Sequence, residues 1–309
     1  MAACSAPGKI ILFGEHAVVF GEPALAVAIN LRTTARGDLA KEWSVNGLPL
    51  QDPHYKYVRN AVERSGTIGP LSMTVQSTIP EGSGMGSSAA VTVATLGALH
   101  ESGHPAEPDL IASEAFDVEH NVQGRASPID TSTSTHGHAV LVLKNRGPGF
   151  LWRLQKGERQ WYLHHRDIPP MTFVVGHTGL EAATGPLVEK VRAFCEKNAE
   201  GRNMIVEIGQ ITLDGTEAMG KKDWVAVGSL MDRNHELLNA LGVGHDKLDQ
   251  FVAAAKPFSY GAKLTGAGGG GSMIALTDKP DEVARAIEAA GGRAFKVMTG
   301  QRGMEVISQ

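Results

Sequence analysis

The stretch Pro80-Glu81-Gly82-Ser83-Gly84-Met85-Gly86-Ser87-Ser88-Ala89-Ala90 constrains this chain more than any other. Three glycines alternate with small residues and leave the backbone amides nearly bare, and the run Val91 to His100 that follows has the small and apolar residues of a helix. Upstream, Leu71, Met73, Val75 and Ile79 mark a half-buried strand. Strand, glycine loop and helix N-terminus in that order make a cradle for an anion, because free amides and the positive end of the helix dipole converge there. The expectation is a nucleotide-phosphate loop, although a tight glycine turn capped by serine would use the same residues. The loop lacks the Gly-Lys-Ser/Thr ending of a Walker motif, so a phosphoryl-transfer site must draw its positive charge from elsewhere. The candidates are Lys9, at the start of the first apolar run, and a magnesium ion held by a serine hydroxyl and a carboxylate.

At 309 residues the chain is long enough for two hydrophobic cores. A net charge of -4 and the lack of any basic run give no footing for a polyanion, so no nucleic-acid partner is expected. No apolar run reaches membrane-spanning length, and the N-terminus lacks the pattern of a signal peptide. Cys4 and Cys195 make no disulfide framework. The expectation is a cytoplasmic protein with no membrane partner.

Lys9 to Phe13 and Ala24 to Leu31 read as strands on either side of the loop that carries Glu15 and His16. Asn46-Gly47 suggests a hairpin, and Pro53 to Ser65 a helix. A helix over Asp109 to Gln123 places Ile111, Ala115, Val118 and Val122 on one face. Glu119, one turn beyond Ala115, projects near that face, where a carboxylate is costly unless a cation or donors meet it. Asp130 lies in a polar stretch just past the turn at Gly124 to Pro128. Between Lys144 and Pro170 the composition shifts, which places a domain boundary there and divides 1–165 from 166–309. The second half alternates strands, such as Met273 to Leu276, with helices, such as Trp224 to Leu241, and reads as α+β. It also holds a second glycine cluster, Lys263-Leu264-Thr265-Gly266-Ala267-Gly268-Gly269-Gly270-Gly271. His100, His104, His136, His138, His164 and His165 lack the Cys/His spacing of a zinc site and read as surface or core residues.

Pro7-Gly8-Lys9, Gly14-Glu15-His16-Ala17-Val18-Val19-Phe20-Gly21, the Gly82-to-Ala90 loop and Lys263-to-Gly271 together resemble the three ordered motifs of the GHMP small-molecule kinases. The resemblance spans nearly the whole chain. Ala17-Val18-Val19 stands where galactokinases carry an Asp-Tyr pair, which favours mevalonate over a sugar as the acceptor. The resemblance implies an α+β chain with the two-domain GHMP kinase fold: a mixed α/β N-terminal domain, a ferredoxin-like α+β C-terminal domain, and an active site in the cleft between them. It implies ATP and Mg2+, transfer to the 5-hydroxyl of mevalonate, and a homodimer.

Carried over residue by residue, the resemblance implies that Gly82, Ser83, Gly84, Met85, Gly86 and Ser87 cradle the ATP phosphates, while Ser88 and Glu119 hold magnesium. Ser87 is the alternative hydroxyl ligand. Lys9 and Asp130 are expected at the acceptor hydroxyl, and Glu15, His16 and Thr184 on the acceptor side of the pocket. Ala182 stands where eukaryotic members carry an arginine two residues before that threonine. Phosphomevalonate, homoserine or the 3-hydroxyl of mevalonate are the other acceptors open to such a fold. A non-catalytic ligand sensor is a further alternative, opposed by the joint presence of Lys9, Ser88, Glu119 and Asp130.

Overall fold

The computed structural model describes residues 3–67, 69–101, 107–124, 126–180 and 184–307. Ala182 and the break at Gly103-His104-Pro105 lie outside the described residues. Strand β1 (Ala3–Phe13) and the 16-residue β2 (Ala24–Leu39) run antiparallel and are longer than their apolar runs suggest. Polar residues extend both strands because a neighbouring ladder satisfies their backbone: Ser5 pairs with Thr34 across β1 and β2, and Thr34 with Gln76 across β2 and β5. The short hairpin β3 (Ser44–Val45) and β4 (Leu48–Pro49) turns at Asn46 and Gly47, both at positive φ. After helix α1 (Lys56–Ser65), strand β5 (Leu71–Ser77) feeds the glycine loop, which opens onto α2 (Ser87–Glu101).

Helix α3 (Pro108–Gln123) buries Ile111, Ala115, Val118 and Glu119, the face that its periodicity specifies. The polar stretch that follows is a further helix, α4 (Ile129–His136), with Thr131 to Thr135 buried. In this Ser/Thr-rich segment threonine hydroxyls bond to its own backbone and so tolerate burial: Thr133 Oγ1 donates to Ile129 O at 2.7 Å and Thr135 Oγ1 to Thr131 O at 2.8 Å. Strands β6 (Ala139–Leu143), β7 (Phe150–Lys156) and β8 (Arg159–Arg166) complete the first sheet, ordered β4-β3-β5-β2-β6-β8-β7 with β1 on β2.

The second lobe contains β9 (Thr172–His177), helices α5 (Thr184–Lys197), α6 (Ala199–Gly220), α7 (Trp224–Ala240) and α8 (Asp246–Ala255), and strands β10 (Gly261–Thr265) and β11 (Ser272–Leu276). Helix α9 (Pro280–Ala289) and β12 (Arg293–Met298) follow. Its sheet is antiparallel in the order β10-β11-β9-β12. The last strand, β13 (Glu305–Ile307), returns to the first sheet and pairs with β1. One hydrophobic core is shared by both lobes, joining Ile10, Phe13 and Leu25 to Phe173, Phe251 and Ile274. Among the described residues no helix is long and apolar enough to cross a membrane.

Candidate active site

A cleft of about 1700 Å³ lies between the lobes and is lined by both glycine clusters. Gly82, Gly84 and Gly86 all take positive φ, a region that costs residues with a Cβ. At Gly86 the need is also steric, since a Cβ there would sit 2.9 Å from Lys9 Cγ. The loop is fixed from inside: Ser83 Oγ donates to Pro80 O at 2.6 Å, and the Lys9 amide donates to Met85 O at 2.9 Å. Met85 itself is fully buried in the shared core, so it anchors the loop and offers the cleft no side chain. Gly82, Ser83, Gly84, Gly86, Ser87 and Ser88 line the cleft. The second glycine cluster docks onto the first, with Ser272 Oγ donating to Ser83 O at 2.6 Å.

Lys9 and Asp130 meet on the wall of the same cleft, Nζ to Oδ2 at 2.9 Å. Lys9 is 3% exposed and donates also to Gly84 O at 3.3 Å, which ties this charge to the first glycine loop. Asp130 sits in the first turn of α4, where the helix dipole favours an anion. Beside them, Ser88 Oγ donates to Glu119 Oε1 at 2.8 Å. Burial, and then the nearby charge of Asp130, push the Glu119 carboxyl up to about 8, against the opposing effects of the Ser88 hydroxyl and Lys9. A buried carboxylate beside a hydroxyl is a hard oxygen donor set that suits a divalent cation such as magnesium, which takes few protein ligands and completes its shell with phosphate and water. Among the described residues no cluster of three or more metal-ligating side chains competes with it.

Glu15, His16 and Thr184 line the cleft as well. Thr184 opens α5 and is exposed. His16 is buried, with φ +60°, and its Nε2 donates to Ala267 O of the second lobe at 2.9 Å. Glu15 is also buried, and both its oxygens are engaged by the second lobe: Oε1 by Lys263, Oε2 by Asn234 Nδ2 at 3.2 Å. Sequence reasoning assigned no role to Lys263 or Asn234. Their signal was weak, a lysine at the edge of a glycine cluster and an asparagine in an amphipathic helix. Tyr57 was missed in the same way. It lines the cleft from α1, and its hydroxyl accepts from Gln123 Nε2 at 3.1 Å.

Two family models match this chain, the GHMP kinases N terminal domain over residues 54–138 and the GHMP kinases C terminal over residues 216–297. The mevalonate kinase of Thermococcus onnurineus is 37% identical over 98% of this chain and 97% of its own length. The crystal structure of the Methanococcus jannaschii mevalonate kinase superposes with a TM-score of 0.81 at 27% identity, covering 97% of this chain and 98% of that one. The L. major mevalonate kinase, solved in complex with R-mevalonate, shares the fold at a TM-score of 0.81 and 23% identity over 97% of this chain and 96% of that one. The chain belongs to the GHMP kinase family, among its mevalonate kinases.

Proposed function

We propose that this chain transfers the γ-phosphoryl group of ATP to the 5-hydroxyl of (R)-mevalonate, giving 5-phosphomevalonate and ADP. The observation that supports it most directly is the Lys9–Asp130 pair at 2.9 Å beside a glycine loop that lines the same cleft. Asp130 accepts the hydroxyl proton as the new bond forms, and a positioned base of this kind contributes about 10²- to 10⁴-fold. Lys9 pairs with Asp130 and offsets the charge on the transferring group. Gly82 to Ser87 hold the phosphates through backbone amides. Ser88 and Glu119 hold magnesium, which when bound neutralises phosphate charge. His16 and Thr184 bound the acceptor, and Glu15 belongs to the same corner. In this reading residues 1–165 supply the phosphate loop and the catalytic pair, and residues 166–309 close the pocket. The protein acts on small molecules in the cytoplasm, as a homodimer, without nucleic-acid or membrane partners.

The test is an ADP-release assay with Mg·ATP and a panel of (R)-mevalonate, phosphomevalonate and homoserine. The reading predicts the highest kcat/KM for mevalonate and a product phosphorylated at the primary hydroxyl. Faster release with either other acceptor, a product phosphorylated at the 3-hydroxyl, or ATP binding without turnover on any acceptor would overturn it.

A further inference from the structure

Lys263 on β10 is fully buried, and its ammonium is shared between Glu15 Oε1 and Leu264 O, the latter at 2.7 Å. Glu15 comes from the opposite lobe, and its second oxygen accepts from Asn234 on α7 at 3.2 Å. Removing two ions from water is costly and is offset only by close geometry with further hydrogen bonds, so a pair in this setting calls for a reason beyond stability. The corner it holds supplies one. Glu15 directly precedes His16, whose φ of +60° is a conformation that a residue with a side chain keeps only when its surroundings impose it.

From that corner His16 Nε2 bonds Ala267 O at 2.9 Å. A carbonyl oxygen only accepts, so Nε2 carries the proton. Burial lowers the imidazole below the ordinary histidine range, which leaves the ring neutral and Nδ1 a bare acceptor. That nitrogen is buried, has no partner among the described residues, and belongs to a side chain lining the cleft.

We propose that Lys263 and Asn234 are positioning residues that act through Glu15, fixing the Glu15–His16 corner and the His16–Ala267 bond that shape the acceptor side of the cleft. The proposal rests on the phosphoryl-transfer reading above. It assigns Glu15 to shaping the pocket from behind, with His16 held in one tautomer at its wall.

The experiment compares the parent with Glu15→Gln, Lys263→Met and the double variant Glu15→Gln/Lys263→Met. It reads KM for the acceptor and for ATP, the unfolding temperature, and the ¹⁵N resonances of the His16 ring, assigned with His16→Gln. Lys263→Met leaves a buried carboxylate unpaired and lowers the unfolding temperature, and the double variant recovers it because the stranded charge is gone. The expected kinetic result is that the double variant, though stable, keeps an acceptor KM about tenfold or more above the parent with ATP KM within about twofold. The parent spectrum shows Nε2 protonated and Nδ1 bare, and the double variant shows the two tautomers mixed. A stable double variant with the parental acceptor KM, an equal rise in ATP KM, or overlaid His16 spectra would overturn the proposal. The kinetics use whichever acceptor the parent phosphorylates, and the spectra need no turnover. A parent that ignores mevalonate therefore contradicts the proposed function and leaves the positioning role to be decided by its own readouts.

Discussion

Glu119 is 3% exposed, and Ser88 donates to one of its carboxylate oxygens at 2.8 Å, so its ionised form is costly there unless a cation meets it. Under the proposed function, removing that charge would weaken the magnesium site and leave the glycine loop in place. Glu119→Gln is predicted to raise the magnesium concentration needed for half-maximal rate by about tenfold or more, since one ligand's charge is lost; overlaid magnesium titrations of the two proteins would contradict this. Glu119 was legible in the sequence because helical periodicity put a carboxylate next to Ala115 and Val118. Lys9 and Asp130 came as a pair only through the resemblance, for nothing in local pattern links a strand residue to a helix residue far along the chain. Lys263 and Glu15 stand 248 residues apart, and no spacing rule reaches across that distance.

At the scale of elements, α4 was the segment that pattern left undefined, because the composition Asp-Thr-Ser-Thr-Ser-Thr has weak helix propensity and tertiary burial overrode it. The hairpin of β7 and β8 was likewise hidden, its residues read only as a shift in composition. Strand β1, the glycine loop, α2 and α3 were legible because apolar period, glycine and helix start agree there. The far end of α4 carries a pH dependence. His136 Nε2 lies 2.9 Å from His165 Nδ1, and burial, then the neighbouring His165 and His138, hold the His136 ring at about 4. Its folded value lies below its ordinary 6.5, so between about 4 and 6.5 the unfolded chain binds a proton that the folded protein does not. The stability from this group is complete above that window and lost as pH falls through it. The unfolding temperature of the parent, measured relative to His136→Gln, is predicted to fall between pH 7 and pH 4; a constant difference would contradict it.

Helix α7 approaches β10 closely because Gly228 has no side chain: a Cβ there would lie 1.9 Å from Tyr260 O, a backbone atom that cannot swing away. Gly228→Ala is predicted to destabilise the protein by about 1–3 kcal/mol or more, the cost of overpacking. Chemical denaturation checks this, and a midpoint at or above that of the parent would contradict it.

Across the whole molecule the two lobes share more than a boundary. The first sheet and the second meet in one core, Thr265 Oγ1 donates to Ile11 O at 2.9 Å, and β13 carries the end of the described chain back onto β1. Such a structure is predicted to unfold in one calorimetric transition, because the core that the lobes share is broken when either one opens; two separated transitions would contradict it. The cleft follows from the same joining, with one glycine cluster from each lobe and the Lys9–Asp130 pair on the first. The central claim is that Asp130 and Lys9 carry the transfer. Steady-state kinetics of Asp130→Asn with (R)-mevalonate and Mg·ATP test it most directly. The account predicts a kcat lower by about 10²-fold or more with KM for ATP little changed. A variant turning over within a few-fold of the parent would contradict it.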